Sequence, residues 1–105
     1  MEMSAMNSEV ARMIDQRVAE RIRTRRRRLG LTQQALGDMV GVAFQQAHKY
    51  EHGMSRISAG RLFAIAAALK TPIAYFFAND DDAAASEAAL SQLPAAARRK
   101  ASDGG

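Results

Sequence analysis

The sequence contains no cysteine, which excludes a disulfide framework and any thiolate metal site. It has no apolar run approaching the roughly 18 to 20 residues needed to cross a bilayer. The opening segment, MEMSAMNSEVARM, has neither the basic nor the apolar stretch of a secretory signal, so a cytoplasmic protein without membrane association is expected. Catalytic signals are missing too: no nucleophile–base pair and no phosphate-cradling glycine loop stands out. His48 and His52 are four apart but lack a third ligand at a convincing spacing, and HKYEH lacks the order of a helical zinc hydrolase motif. No metal, no cofactor and no enzymatic activity are therefore expected. The aromatic residues cluster in the core region and near its end, so they do not form a platform for splayed RNA bases.

What is present fits one small helical domain. The 105 residues suffice for one domain and are too few for two ordinary ones. Leu, Ile, Val, Phe and Met concentrate between about Val18 and Phe77. The formal charge is +4, but it is unevenly placed. Arg17 to Arg61 holds ten Arg or Lys against Glu20, Asp38 and Glu51, a net +7. The first sixteen residues carry three acids and one Arg, and from Ala78 onward five acids face three bases. Positive charge confined to the folded part is what a polyanion binder requires; a solvated arginine surface is the plainer alternative.

Periodicity and punctuation predict the elements. Asp15 is expected to cap a first helix with Val18, Ile22 and Leu29 inward, ending at Gly30. Thr32 caps a second helix, Gln33 to Val40, which Gly41 stops. A short third helix spans about Phe44 to Tyr50, with Ala47 and Tyr50 facing the core, and Gly53 suits a positive φ in the loop that follows. Ser58 caps a fourth, Ala59 to Leu69, with Leu62, Ile65, Ala66 and Leu69 inward. Pro72 opens a fifth that contains Ile73, Phe76 and Phe77. The fold class is all-α, five short helices in one compact domain, with a flexible or partly helical C-terminal tail. The expected division is a flexible arm over 1–14, the domain over 15–78, and an acidic linker with an alanine-rich, disordered tail over 79–105. Within that tail, Ala83 to Leu93 has high helix propensity until Pro94.

The segment from Val18 to Phe77 resembles the helix-turn-helix domain of the phage Cro and CI repressor superfamily, also called the XRE family. The resemblance rests on Arg21-Ile22-Arg23, Gly30-Leu31-Thr32-Gln33, Leu36, Gly41-Val42, Tyr50-Glu51 with Gly53, Ser58, Leu62 through Leu69, and the closing TPIAYFF. It implies a lambda-repressor-like fold in which the second helix of the pair enters the major groove of double-stranded DNA. It also implies a sequence-specific transcriptional regulator, a repressor, that binds a palindromic operator as a homodimer.

Carried over residue by residue, Gln33 looks like the family glutamine that bonds a phosphate and buttresses a base-reading side chain. Phe44, Gln45 and Lys49 fall where members point side chains into the groove. The chemistry agrees: a glutamine amide pairs with adenine N6 and N7, a lysine donates to guanine O6 and N7, and a phenyl ring packs on a thymine methyl. Gln46, one position round the helix, is expected at a phosphate. Arg23, Arg27, Arg56 and Arg61 are expected at phosphates, with Ser55 as a neutral donor. Arg25 to Arg28 cannot all face one partner, since successive side chains differ by about 100 degrees; some are expected in solvent or paired with acids such as Glu20. Ile73, Tyr75, Phe76 and Phe77 are expected to form a dimer contact.

Three departures from the family pattern are expected to loosen the recognition unit. Ala43 replaces the usual Ser or Thr cap, Ala47 a branched residue, and Gly37 an alanine. The competing reading is an antitoxin-like or other protein-interaction module on the same fold, with the C-terminal tail holding a protein partner.

Overall fold

The computed structural model describes residues 2–91. Helix α1 covers Glu2–Arg28, α2 Gln33–Val40, α3 Phe44–Glu51 and α4 Ala59–Ala68; a 3₁₀ helix follows at Ile73–Phe77, then α5 at Asp80–Ser91. The fold is all-α, as expected. Among the described residues, no helix is long and apolar enough to cross a membrane.

Helix α1 begins well before its expected cap. No glycine or proline occurs between Glu2 and Arg28, so nothing interrupts the helix at Asp15, and the expected arm forms its first half. Its end is as the sequence indicates. Gly30 takes φ 72°, and Leu31 N–H reaches back to the Arg26 carbonyl at 3.1 Å, closing the last turn. Leu29, expected inward, falls just past this end and is exposed; Leu31 packs against the core in its place.

The helix pair is built from caps and one close approach. Thr32 Oγ1 accepts from Ala35 N–H at 3.0 Å, and Gly41 at φ 79° ends α2. A Cβ added at Gly37 would lie 2.6 Å from the Val42 carbonyl oxygen. Gly37 thus admits the link between α2 and α3 rather than merely weakening α2, which corrects the expectation of simple loosening. Ala47 is fully buried, so the space beneath α3 has closed around a methyl group. Ala43 has the extended backbone of an N-cap but supplies no side-chain acceptor.

The core joins Val18 and Ile22 of α1, Leu36 and Val40 of α2, and Tyr50 of α3 to Leu62, Ile65 and Leu69. Tyr75 and Phe76 complete it, their rings meeting edge-on at 5.5 Å. These two residues were expected at a dimer surface. They are only 3% and 0% exposed and belong to the core, which leaves Ile73 and Phe77 at the surface.

The acidic segment expected as a linker starts a helix instead. Asn79 Oδ1 accepts from Asp82 N–H at 2.8 Å, and Asp80, Asp81 and Asp82 occupy the first turn, where the helix dipole favours negative charge. Ala83 is buried against the core, so the start of α5 is docked. The expected stop at Pro94 and the end of the tail lie outside the described residues.

Supplying the missing cap tests this account of α3. Ala43→Ser is expected to stabilise the domain by about 1 kcal/mol, read as a higher urea midpoint at unchanged slope.

Candidate nucleic-acid interface

Helix α3 buries Ala47, Tyr50 and Glu51. The 100-degree step between residues then places Gln45, Lys49 and His52 on the opposite side, with His48 beside them and Phe44 in the first turn at the margin of the buried face. All five are exposed. Two buried side chains are apolar or aromatic; the third is a carboxylate, and its environment fixes the helix.

Glu51 is 1% exposed and takes both of its oxygens into one cluster. Arg26 Nε donates to Glu51 Oε2 at 2.5 Å and Arg26 Nη2 to Oε1 at 2.9 Å, a bidentate pair. Arg26 Nη1 donates to the Leu31 carbonyl at 2.7 Å, and Gln33 Nε2 donates to Glu51 Oε1 at 3.2 Å. One node therefore ties the end of α1, the start of α2 and the end of α3. Gln33 stands half-buried at its edge, bonded to Glu51, in a position to buttress rather than to float.

The other expected contacts divide. Gln46 is half-buried, and its Nε2 donates to Ser55 Oγ at 3.0 Å, so the two fix the loop after α3 to the helix. Arg56 is exposed on that loop. Arg61, expected at a phosphate, donates from Nη1 to the Val40 carbonyl and so closes the carboxyl end of α2. Arg23 and Arg27 lie four apart on one flank of α1, with Arg23 half-buried and Arg27 exposed.

The arginine run of α1 is mostly structural. Arg21 donates to the Ala78 carbonyl at 2.8 Å and to Asp80 Oδ1 at 2.7 Å, and its guanidinium lies 5.8 Å from the Tyr75 ring centroid. Arg25 Nε donates to the Leu69 carbonyl at 3.0 Å. Arg17, Arg21 and Arg25 recur every four residues, so one edge of α1 binds carbonyls at the end of α4 and around the 3₁₀ helix. Arg25 to Arg28 were expected to lie partly in solvent or to pair with acids such as Glu20; Arg27 and Arg28 are exposed, and the acid that Arg26 pairs with is the buried Glu51. The sequence did contain a signal. Glu51 follows Ala47 by four residues, in the buried phase, and a carboxylate there needs a cation from the facing helix. Arg26 follows Ile22 by the same four.

Residues 22–76 match the helix-turn-helix family. An uncharacterized transcriptional regulator in the ATPase CF(0) region of Rhodospirillum rubrum is 52% identical over 66 residues, covering 63% of this chain and 61% of that protein. An uncharacterized HTH-type transcriptional regulator of Sinorhizobium fredii is 46% identical over 79 residues, covering 71% of this chain and 55% of that protein. Another from Rickettsia prowazekii is 40% identical over 70 residues, 67% of this chain and 54% of that protein. The matched part thus spans between 54% and 61% of the length of these relatives.

Breaking the node from either side leaves a buried, unmatched charge. Glu51→Ala and Arg26→Ala are each expected to destabilise the fold by roughly 3–5 kcal/mol, measured by urea denaturation. In the double variant the loss is expected to be clearly less than the sum of the two, because both single changes remove the same interaction.

Proposed function

The chain belongs to the XRE-type helix-turn-helix family, and on that premise we propose that it is a sequence-specific transcriptional regulator of double-stranded DNA. It acts in the cytoplasm as a repressor, with α3 in the major groove and α2 across the backbone. The observation that carries this reading is the outward face of α3. Gln45 and Lys49 are exposed together there, four residues apart, on a helix whose inner face is locked to α1 and α2. Gln45 reads an adenine through its amide, Lys49 donates to guanine, and Phe44 packs on a thymine methyl. Gln33, held by Glu51, steadies the amino end of the pair and offers its remaining polar groups to a phosphate or to Gln45.

Phosphate contacts come from the flanks. Arg23 and Arg27 grip on one side and Arg56 on the other, with Gln46 and Ser55 holding the Arg56 loop at its height. Arg61 reaches a phosphate only by releasing the Val40 carbonyl, so its contribution is the smallest of the four arginines. A single domain reads few base pairs, and a palindromic operator is bound by a homodimer that joins through Ile73 and Phe77, the exposed apolar residues around the 3₁₀ helix. The surface of α5 and the residues beyond it are left for a protein partner.

Selection from a randomised duplex library at two salt concentrations tests the reading. The wild type is expected to enrich a palindrome, and Gln45→Ala/Lys49→Ala to lose the preference while keeping weak binding to any duplex, since each base contact discriminates by about 1–3 kcal/mol. Binding that is equal for all duplexes and unchanged in the double variant would instead favour the protein-interaction module. Phosphate contacts have their own signature. Arg27→Ala is expected to weaken binding to all sequences alike and to lower the slope of log affinity against log salt by about one per subunit.

A further inference from the structure

The outward face of α3 carries one feature that base reading does not use. His48 and His52 are the two histidines of the chain, four residues apart across the end of the helix. His52 N–H still bonds to the His48 carbonyl at 3.2 Å, so the helical relation between them holds through the cap. Both side chains are exposed, and their ring centroids lie 4.2 Å apart with the planes tilted by 41°.

We propose that His48 and His52 form a two-imidazole binding site for a divalent transition-metal ion. With metal–nitrogen bonds of about 2.0–2.1 Å, two imidazoles in adjacent positions of a square-planar or tetragonal ion have centroids about 4.5 Å apart, against about 5.2 Å on a tetrahedral one. The observed separation is already close to that value, and both rings are free to turn in solvent. Nothing else in the helix competes for the role. Glu51, between the two histidines in sequence, is buried, with its oxygens bonded to Arg26 and Gln33. Among the described residues no group of three or more metal-ligating side chains occurs, so the remaining coordination positions go to water. Imidazole nitrogen selects copper, nickel and zinc over magnesium or calcium.

The site has two physical consequences. The two rings meet only while α3 is helical, so the ion binds the folded chain more tightly than the unfolded one and stabilises the fold by mass action. The ion also lies beside Lys49, on the surface that the proposed function turns toward DNA. Its existence does not depend on that proposal, because the protein alone forms it.

The test uses the full chain without DNA. Nickel chloride is titrated into wild type, His48→Gln, His52→Gln and the double variant by calorimetry, and melting temperature is followed in parallel. The exposed positions leave the helical circular dichroism of each variant unchanged. Wild type is expected to bind Ni²⁺ and melt higher in its presence. Either single variant is expected to bind at least tenfold more weakly, falling nearly as far as the double variant, which is the mark of a chelate. Equal affinity in wild type and the double variant overturns the proposal. So does a wild-type melting temperature that Ni²⁺ leaves unchanged.

Discussion

The buried pair of Arg26 and Glu51 is the constraint on which the rest of the arrangement depends. Helix α3 has eight residues, fewer than an isolated helix needs to persist in water. It lacks a side-chain cap at Ala43 and presents only a methyl group at Ala47. Apolar burial of Tyr50 holds it down but leaves its rotation loosely set. A carboxylate with both oxygens bonded in fixed directions, to a guanidinium fork and to the Gln33 amide, sets that rotation. The side of α3 that faces outward follows from the side that is tied inward. Such a pair adds little net stability over a well-packed apolar one; its use here is to specify an orientation.

The same logic redistributes the positive charge. A basic stretch of sequence reads at first as a surface for polyanions. In the folded chain, Arg21, Arg25 and Arg26 are buried and donate to carbonyls and carboxylates of other elements. One edge of α1 thereby fastens the C-terminal part of the fold, and the adjacent edge fastens α3. The arginines proposed for phosphate are half-buried Arg23 and exposed Arg27 on the flank, with exposed Arg56 beyond the helix pair. Arginine suits both tasks, because its planar fork matches carbonyls and carboxylates inside and phosphates outside.

Much of the fold was legible in the sequence where local chemistry decides it. Thr32, Gly41, Ser58 and Gly30 mark boundaries that the structure keeps, since capping and positive φ are properties of single residues and their neighbours. The outward placement of Gln45 and Lys49 was also legible, from the phase set by Ala47 and Tyr50. What escaped depends on distant partners. Asp15 has the chemistry of a cap, yet no break precedes it, and helix continuity prevailed. The acidic triplet at Asp80 reads as a solvated linker until Arg21, 59 residues away, gives Asp80 an ion-pair partner. Tyr75 and Phe76 look surplus to a small core until the 3₁₀ turn points both inward. Gly37 reads as a weak helix former, whereas the constraint on it is the Val42 carbonyl across the link.

Whether α3 enters the major groove is tested most directly by methylation interference on the duplex enriched from a random library. Methylation of guanine N7 alters the major-groove edge, and methylation of adenine N3 alters the minor-groove edge. The account predicts that N7 methylation at guanines within each half-site weakens binding, while N3 methylation of adenines in the same half-sites leaves it intact. Interference from the minor-groove adenines alone, with the guanines indifferent, would contradict it.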